Sequence, residues 1–236
     1  MRCLYEDDLL WVLDKPAGLL VTAKDGQQSL EELLTEASGE TAHLVHRLDK
    51  DTSGVILVAK NQPTREYLQK QFKQRTVHKT YLALLDGDLS TDYVLQETYL
   101  ARDKHRRTQM RSYPKHDTQH QQLRFARSEF FVLQRFQQRL TYVKITISTG
   151  RTHQIRVHAK EMSAPVLGDQ VYHHPTTLPL TFPVAIRDEV YNLSRQMLHS
   201  HQLAFQHPDS GRMCLSSPPP DDFSDLLTML RRSAVE

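Results

Sequence analysis

Apolar positions recur along the chain in two rhythms. Short apolar runs bounded by turn residues predict strands at Leu9-Leu10-Trp11-Val12-Leu13, at Gly54 to Ala59, at Thr80 to Leu85 and at Gln202 to Phe205. The first of these is stopped by Lys15-Pro16-Ala17-Gly18. Two more strands are predicted at Phe130 to Phe136 and Leu140 to Ser148. In the latter, Val143, Ile145 and Ile147 alternate with Lys144 and Thr146, the period of a strand with one buried face.

The second rhythm is helical. Ser29-Leu30-Glu31-Glu32 is a capping box, so a short helix to about Ala37 should follow. Thr64 to Gln74 is helical with Tyr67, Leu68 and Phe72 on its apolar face. Thr149-Gly150 ends the preceding strand, and Thr152 can cap a helix carrying Ile155, Ala159 and Met162 on one face. Asp221 to Arg231 is an amphipathic end helix with Phe223, Leu226, Leu227 and Leu230 facing inward. The stretch from Arg102 to Gln122 is polar and aperiodic and reads as a long loop or irregular hairpin. Pro175 to Pro183 reads as loop. Strands and helices mix without strict alternation, which predicts an α+β fold with a mixed, mostly antiparallel sheet rather than a doubly wound one.

Composition narrows the function classes. The 236 residues suit a single catalytic-sized domain spanning 1–236. The longest apolar stretch, Val55 to Ala59, is too short to cross a bilayer. The opening Met-Arg-Cys-Leu-Tyr-Glu-Asp-Asp has no apolar core of a secretory signal. Two cysteines, Cys3 and Cys214, exclude a disulfide scaffold and a cysteine-rich zinc site and suit a cytoplasmic protein. No Gly-x-Gly-x-x-Gly or Walker A pattern is present. The net charge of +2 hides an asymmetry. Residues 1–42 carry nine acidic and three basic side chains, whereas residues 102–127 carry eight basic and two acidic, and residues 65–79 five basic and one acidic. Such segments can hold a polyanion while the whole chain stays near neutral; solvated basic faces are the plainer alternative.

Three polar clusters can carry chemistry. In His46-Arg47-Leu48-Asp49-Lys50-Asp51-Thr52-Ser53-Gly54, Arg47 and Asp49 are two apart and face one side of an extended chain. An aspartate beside an arginine stays ionised, which suits a nucleophile; a turn with a surface ion pair is the alternative. Thr149-Gly150-Arg151-Thr152-His153-Gln154-Ile155-Arg156-Val157-His158 packs polar groups at a helix start, where anions are favoured. His153 and His158 are five apart, not the four of a zinc helix, and no glutamate stands where a base belongs, so no metal site is expected. In His78-Lys79-Thr80-Tyr81, a strand tyrosine is usually core.

In this order, the clusters resemble the RluA-type family of RNA pseudouridine synthases, nearly end to end. Tyr5-Glu6-Asp7-Asp8-Leu9-Leu10 with Asp14-Lys15-Pro16-Ala17-Gly18-Leu19-Leu20-Val21 is similar to the family's first motif. The His46 to Gly54 cluster resembles its signature, Lys79-Thr80-Tyr81 its Lys-x-Tyr, and Thr149 to His158 its third motif. Gly168-Asp169, Tyr172, Leu198-His199, Leu203-Ala204-Phe205 and His207-Pro208 continue the pattern. Three differences stand out. No N-terminal S4 RNA-binding domain is visible, Ser163-Ala164-Pro165 stands where Gly-His-Pro is common, and His173 follows Tyr172 where glycine is common.

The resemblance implies isomerisation of specific uridines to pseudouridine in structured RNA, rRNA or tRNA, by a monomer in one catalytic cleft. It implies that Asp49 is the nucleophile, that Tyr81 stacks on the target uracil, and that Arg151 pairs with the aspartate. Arg47 falls on the arginine that fills the gap left by the flipped nucleotide; a phosphate contact or an ion pair is its alternative role. Lys79, Arg106, Arg107, His153 and Arg156 are the further expected RNA contacts. The rearrangement changes no oxidation state, so no cofactor and no metal are expected, and RNA is the only partner. Two rivals are a non-catalytic RNA-binding or ribosome-assembly protein that retains the fold, and a metal-dependent nuclease or hydrolase built on the thirteen histidines.

Overall fold

The apolar runs become strands and the capped segments become helices in the computed structural model, which describes residues 1–23, 26–106, 108–114, 122–173 and 177–233. In chain order the elements are β1 (Arg2–Glu6), β2 (Leu10–Lys15), α1 (Leu30–Ser38), β3 (His43–Leu44), β4 (Ser53–Ala59), α2 (Gln62–Gln74), β5 (His78–Asp86) and β6 (Tyr93–Arg102). There follow β7 (Met110–Tyr113), β8 (Arg124–Phe136), β9 (Leu140–Ile147), α3 (Gln154–Glu161), α4 (Val184–Tyr191), β10 (Leu198–His207), β11 (Gly211–Ser216) and α5 (Asp221–Ser233). The α+β reading holds. Among the described residues no helix is long and apolar enough to cross a membrane. Contacts divide the chain into two compact units, Met1–Tyr81 with His199–Pro219, and Leu82–Leu198 with Pro220–Glu236.

In the first unit β2 lies between β1 and β4, antiparallel to both, in register from Leu10↔Ala59 to Lys15↔Gly54. β4 runs parallel to β10 at His199↔Ser53 and Ser200↔Gly54, and β10 continues into an antiparallel hairpin with β11. Leu10, Val12, Val55, Leu57, Leu68, Leu203 and Phe205 form the core under α2. Continuous burial of β4 explains why its sequence is an unbroken apolar run. Helix α1 starts as expected: Ser29 Oγ accepts from the Glu32 amide (3.3 Å), and the Glu32 carboxylate accepts from the Ser29 amide (2.9 Å). Helix α2 meets expectation at Leu68, which is buried, and at Phe72, which packs against this core, and departs from it at Tyr67. Its buried stripe is Thr64, Leu68 and Gln71, spaced four and three residues apart. Tyr67 stands off that stripe and is 41% exposed. Gln71 is tolerated inside because its amide bonds both the amide and the carbonyl of Gln206, each at 2.8 Å.

In the second unit β6, β8 and β9 form an antiparallel meander, with β7 on the outer side of β6. Of the polar stretch from Arg102 to Gln122, the described residues up to Tyr113 bring β6 back to β7 as an irregular hairpin paired at Ala101↔Arg111; residues 107 and 115–121 lie outside the described residues. Helix α5 buries Phe223, Leu226, Leu227 and Leu230, the four residues its periodicity named, against Leu84, Phe136, Tyr142 and Phe182. Helix α3 does not start on Thr152. His153 is the capping residue, in the left-handed region at φ 55°, and makes no side-chain cap. The entry amide of Arg151 is instead taken by the Gln154 side-chain oxygen at 3.1 Å, reaching back from the first helical turn.

Candidate active site

The Asp49 loop is tied down from below by a lysine. Lys15 is fully buried, and its ammonium donates to the carbonyls of Pro16 (2.8 Å), Leu19 (2.9 Å) and Lys50 (2.8 Å). Three donors meet three acceptors, which is what a desolvated ammonium requires. The Gly18 amide donates to the same Lys50 carbonyl at 3.0 Å, and the Thr52 amide to the Asp49 carbonyl at 3.1 Å. The residue after Asp49 is therefore held on two sides while Asp49 itself is half-buried and Arg47 exposed.

Beyond the turn, Gly54 is at φ +108°, and a Cβ there would stand 2.2 Å from the Ser200 carbonyl oxygen. Only glycine permits this approach of β4 to β10. Ser53 Oγ and His199 Nδ1 are 3.0 Å apart, and His199 Nε2 lies 2.9 Å from the Ser217 carbonyl. A carbonyl only accepts, so Nε2 carries a proton, and Nδ1 shares a hydrogen bond with the Ser53 hydroxyl.

Tyr81 on β5 is 8% exposed and hydrogen-bonded to Ser200, whose own hydroxyl donates to the Val55 carbonyl at 3.0 Å. Burial pushes the phenol up to about 12; the Ser200 bond opposes this, and the Asp49 charge adds to it. A group so shifted is neutral at any physiological pH. It can stack and can donate or accept a hydrogen bond, but it is no resting base. His46 is also neutral: burial, with the Lys79 cation near it, lowers its pKa to about 3. Its Nε2 accepts from the Leu57 amide at 3.1 Å and its ring stacks on Phe72 at 4.7 Å. Lys79 corrects an expectation. It is buried, with Nζ 5.6 Å above the Phe72 ring, and lies against α2 rather than out among RNA phosphates.

The second unit holds Arg151. Its Nε donates to the Phe125 carbonyl at 3.0 Å. Gln154, buried, organises the turn that carries it: the Thr149 hydroxyl donates to its side-chain oxygen (2.7 Å), and its Nε2 donates to the Arg127 carbonyl and Ser128 Oγ, each at 2.9 Å. Arg156, expected to meet RNA, is 4% exposed and forms a two-pronged ion pair with Asp169 at 2.6 and 2.8 Å. Its guanidinium is spent inside the protein, which removes it from the phosphate contacts. His153 is half-buried, with Nδ1 2.8 Å from the Tyr172 hydroxyl, and that hydroxyl accepts from the Met110 amide at 2.7 Å. It serves the joint between β7 and α3. His158, the other half of the metal alternative, bonds Ser128 Oγ and Thr98 Oγ1 at 2.9 Å each, and burial lowers its pKa to about 4. Arg106 is exposed in a turn where Asp103 accepts its amide at 2.9 Å. Arg107 lies outside the described residues.

Lys15, Gln154, Ser200 and His199 escaped the sequence reading as site residues. A lysine before Pro-x-Gly and a glutamine at the head of an Arg-Thr-His helix start were the available signals, but each looks like a turn or a helix residue until its partners are seen.

A family model described as RNA pseudouridylate synthase matches residues 9–161. The chain is 39% identical over 239 residues to ribosomal large subunit pseudouridine synthase D of Nitrosomonas europaea, covering 98% of this chain and 65% of that one. It is 37% identical to the protein of the same name from Neisseria meningitidis, covering 61% of it. The chain thus spans just under two thirds of these relatives. It is 35% identical to the dual-specificity RNA pseudouridine synthase RluA of Yersinia pestis, covering 89% of this chain and 95% of that one. Among solved structures, human RNA pseudouridylate synthase domain containing 4 superposes with a TM-score of 0.76 at 26% identity, covering 97% of this chain and 92% of that one.

Proposed function

Since the chain belongs to the RNA pseudouridylate synthase family, we propose that it isomerises specific uridines to pseudouridine in structured RNA, rRNA or tRNA, with Asp49 as the nucleophile. The observation that carries this reading is the half-buried Asp49 carboxylate on a clamped turn, with its charge felt by a neutral, buried Tyr81. The reaction breaks N1–C1′, turns the uracil and joins C5 to C1′; C5 gives up its proton and the freed N1 gains one, so the product is an isomer. A carboxylate answers the positive charge that develops at C1′, as in glycoside cleavage. It does so either by bonding C1′ or by removing the 2′ proton. Tyr81 offers the ring face for the displaced uracil, and Arg47, exposed, offers a flat cation for the vacated stack. Arg151 keeps the cationic role that the resemblance gives it. The reading takes the protein to act as a cytoplasmic monomer on RNA without cofactor or metal, because no oxidation state changes.

Pseudouridine mapping of rRNA and tRNA from cells with and without the gene, repeated with purified protein on the same RNAs, tests this. One or a few sites should vanish without the gene and return with the protein. If no site is lost in cells and none is formed in vitro, the reading fails. Exposed Arg106 adds a second expectation. Neutralising Arg106 and Arg107 together should weaken RNA binding and flatten the slope of log affinity against log salt by about one to two. An unchanged slope would remove this hairpin from the RNA interface.

A further inference from the structure

We propose that the cleft between α2 and the β10–β11 hairpin seats one nucleotide of the bound RNA, outside the uridine that is modified. The inference rests on the isomerase reading only for the polymer's identity, and its chemistry stands on the cleft itself. The cavity measures about 430 Å³, within the range of small-molecule sites. Its lining includes the exposed Tyr67, the buried Phe205, and the cations Lys70 and Arg212. Both cations are exposed, and among the described residues neither is in an ion pair. Among the described residues no carboxylate lines the cavity.

Each part answers one part of a nucleotide. An aromatic ring standing off the buried stripe of its helix is a stacking platform for any base. Two lining cations with no ion-pair partner among the described residues suit a phosphate on either side of that base. Gln74, also in the lining, brings a side-chain amide that can both donate and accept at a base edge. A purely apolar ligand would have no use for the cations, and a bare anion none for the ring.

The position sets the role. Ser200 on β10 is level with Gly54, and Gln206 at the cleft lies six residues further along the same strand. At strand rise that is about 20 Å from the turn that follows Asp49. One nucleotide cannot reach both places, but one RNA can. The cleft therefore contributes affinity and register and takes no part in bond making.

The test uses the full chain and a labelled twelve-nucleotide oligouridylate. Lys70→Ala with Arg212→Ala should weaken binding about tenfold or more and lower the salt slope by about one to two. Tyr67→Ala should weaken binding severalfold at every salt concentration with the slope unchanged, and Tyr67→Phe should restore it. With an RNA substrate, these changes should raise KM more than they lower kcat. Unaltered affinity and slope in the Lys70 and Arg212 double variant would overturn the proposal. So would capture of a polyglutamate peptide by the same residues with RNA binding intact, which would make the cleft a protein-docking site. A chain that makes no pseudouridine yet shows the variant-dependent binding would keep the cleft and discard the isomerase reading.

Discussion

Asp49→Asn is expected to bind RNA as the unaltered chain does and to form no pseudouridine, a loss of about 10⁴-fold or more in turnover. The substitution keeps the volume and removes the charge. The turn should survive it, because the backbone of that turn is held by the Thr52 amide on the Asp49 carbonyl, and by Lys15 and Gly18 on the Lys50 carbonyl. An amide can neither bond C1′ as a leaving-capable carboxylate nor take a 2′ proton. A second signature follows from Tyr81. The Asp49 charge is one of the causes that hold its phenol high, so the phenol should ionise at lower pH in the variant. Single-turnover pseudouridine counting, filter binding and an alkaline tyrosine titration read the three effects. Turnover within tenfold of the unaltered chain would show that Asp49 is not the reacting group.

How much of this was legible in the sequence depends on the range of the interaction. Local signals worked. The Ser29–Glu32 capping box, the alternation over Leu140 to Ser148 and the inward stripe of α5 each depend on residues within a turn or a strand of each other, and each is present in the structure. Signals that depend on distant partners failed. Tyr67 looked inward by spacing, but the sheet lies under the Thr64–Leu68–Gln71 stripe, and Gln206, 135 residues away, makes a home for a glutamine there. Strand β6 was not foreseen, because its middle, Gln96-Glu97-Thr98, reads as polar until β8 pairs with it. Thr152 was the best local cap for α3, yet Gln154 took the amide from inside the helix. At the site, the family resemblance and not spacing pointed to Asp49, Tyr81 and Arg151, while the residues packed around them, such as Lys15 and Gln154, looked like ordinary turn or helix residues. Gly54 is the plainest case: it reads as the first residue of a strand, and only the Ser200 carbonyl shows why no side chain fits.

Arg156→Met should cost about 3–5 kcal/mol of stability at neutral pH, the usual consequence of stranding one member of a buried ion pair. For a chain of this size the melting temperature should drop by roughly 6–20 °C. Asp169 has no exposed side-chain surface and would be left with a charge and two amide donors, Val171 at 2.9 Å and Tyr172 at 3.1 Å. Burial alone would raise its carboxyl, but the Arg156 bonds and charge, with those two amides, outweigh burial and hold it below the ordinary carboxylate range. The sign of the pH effect follows. A carboxyl lowered by folding stabilises above its unfolded pKa near 3.8, and that contribution is lost as pH falls through the folded value. In Arg156→Met the unpaired carboxyl is raised instead, so acid relieves it. The gap between variant and unaltered protein should therefore be widest at pH 7 and shrink toward pH 4 in urea unfolding. Adding Asp169→Asn to Arg156→Met should recover part of the loss, since the stranded charge is gone while the amide oxygen still accepts. A gap that stays constant from pH 7 to 4, with no recovery in the double variant, would mean that Arg156 stabilises α3 through its 5.0 Å packing over the Tyr172 ring and not through its charge.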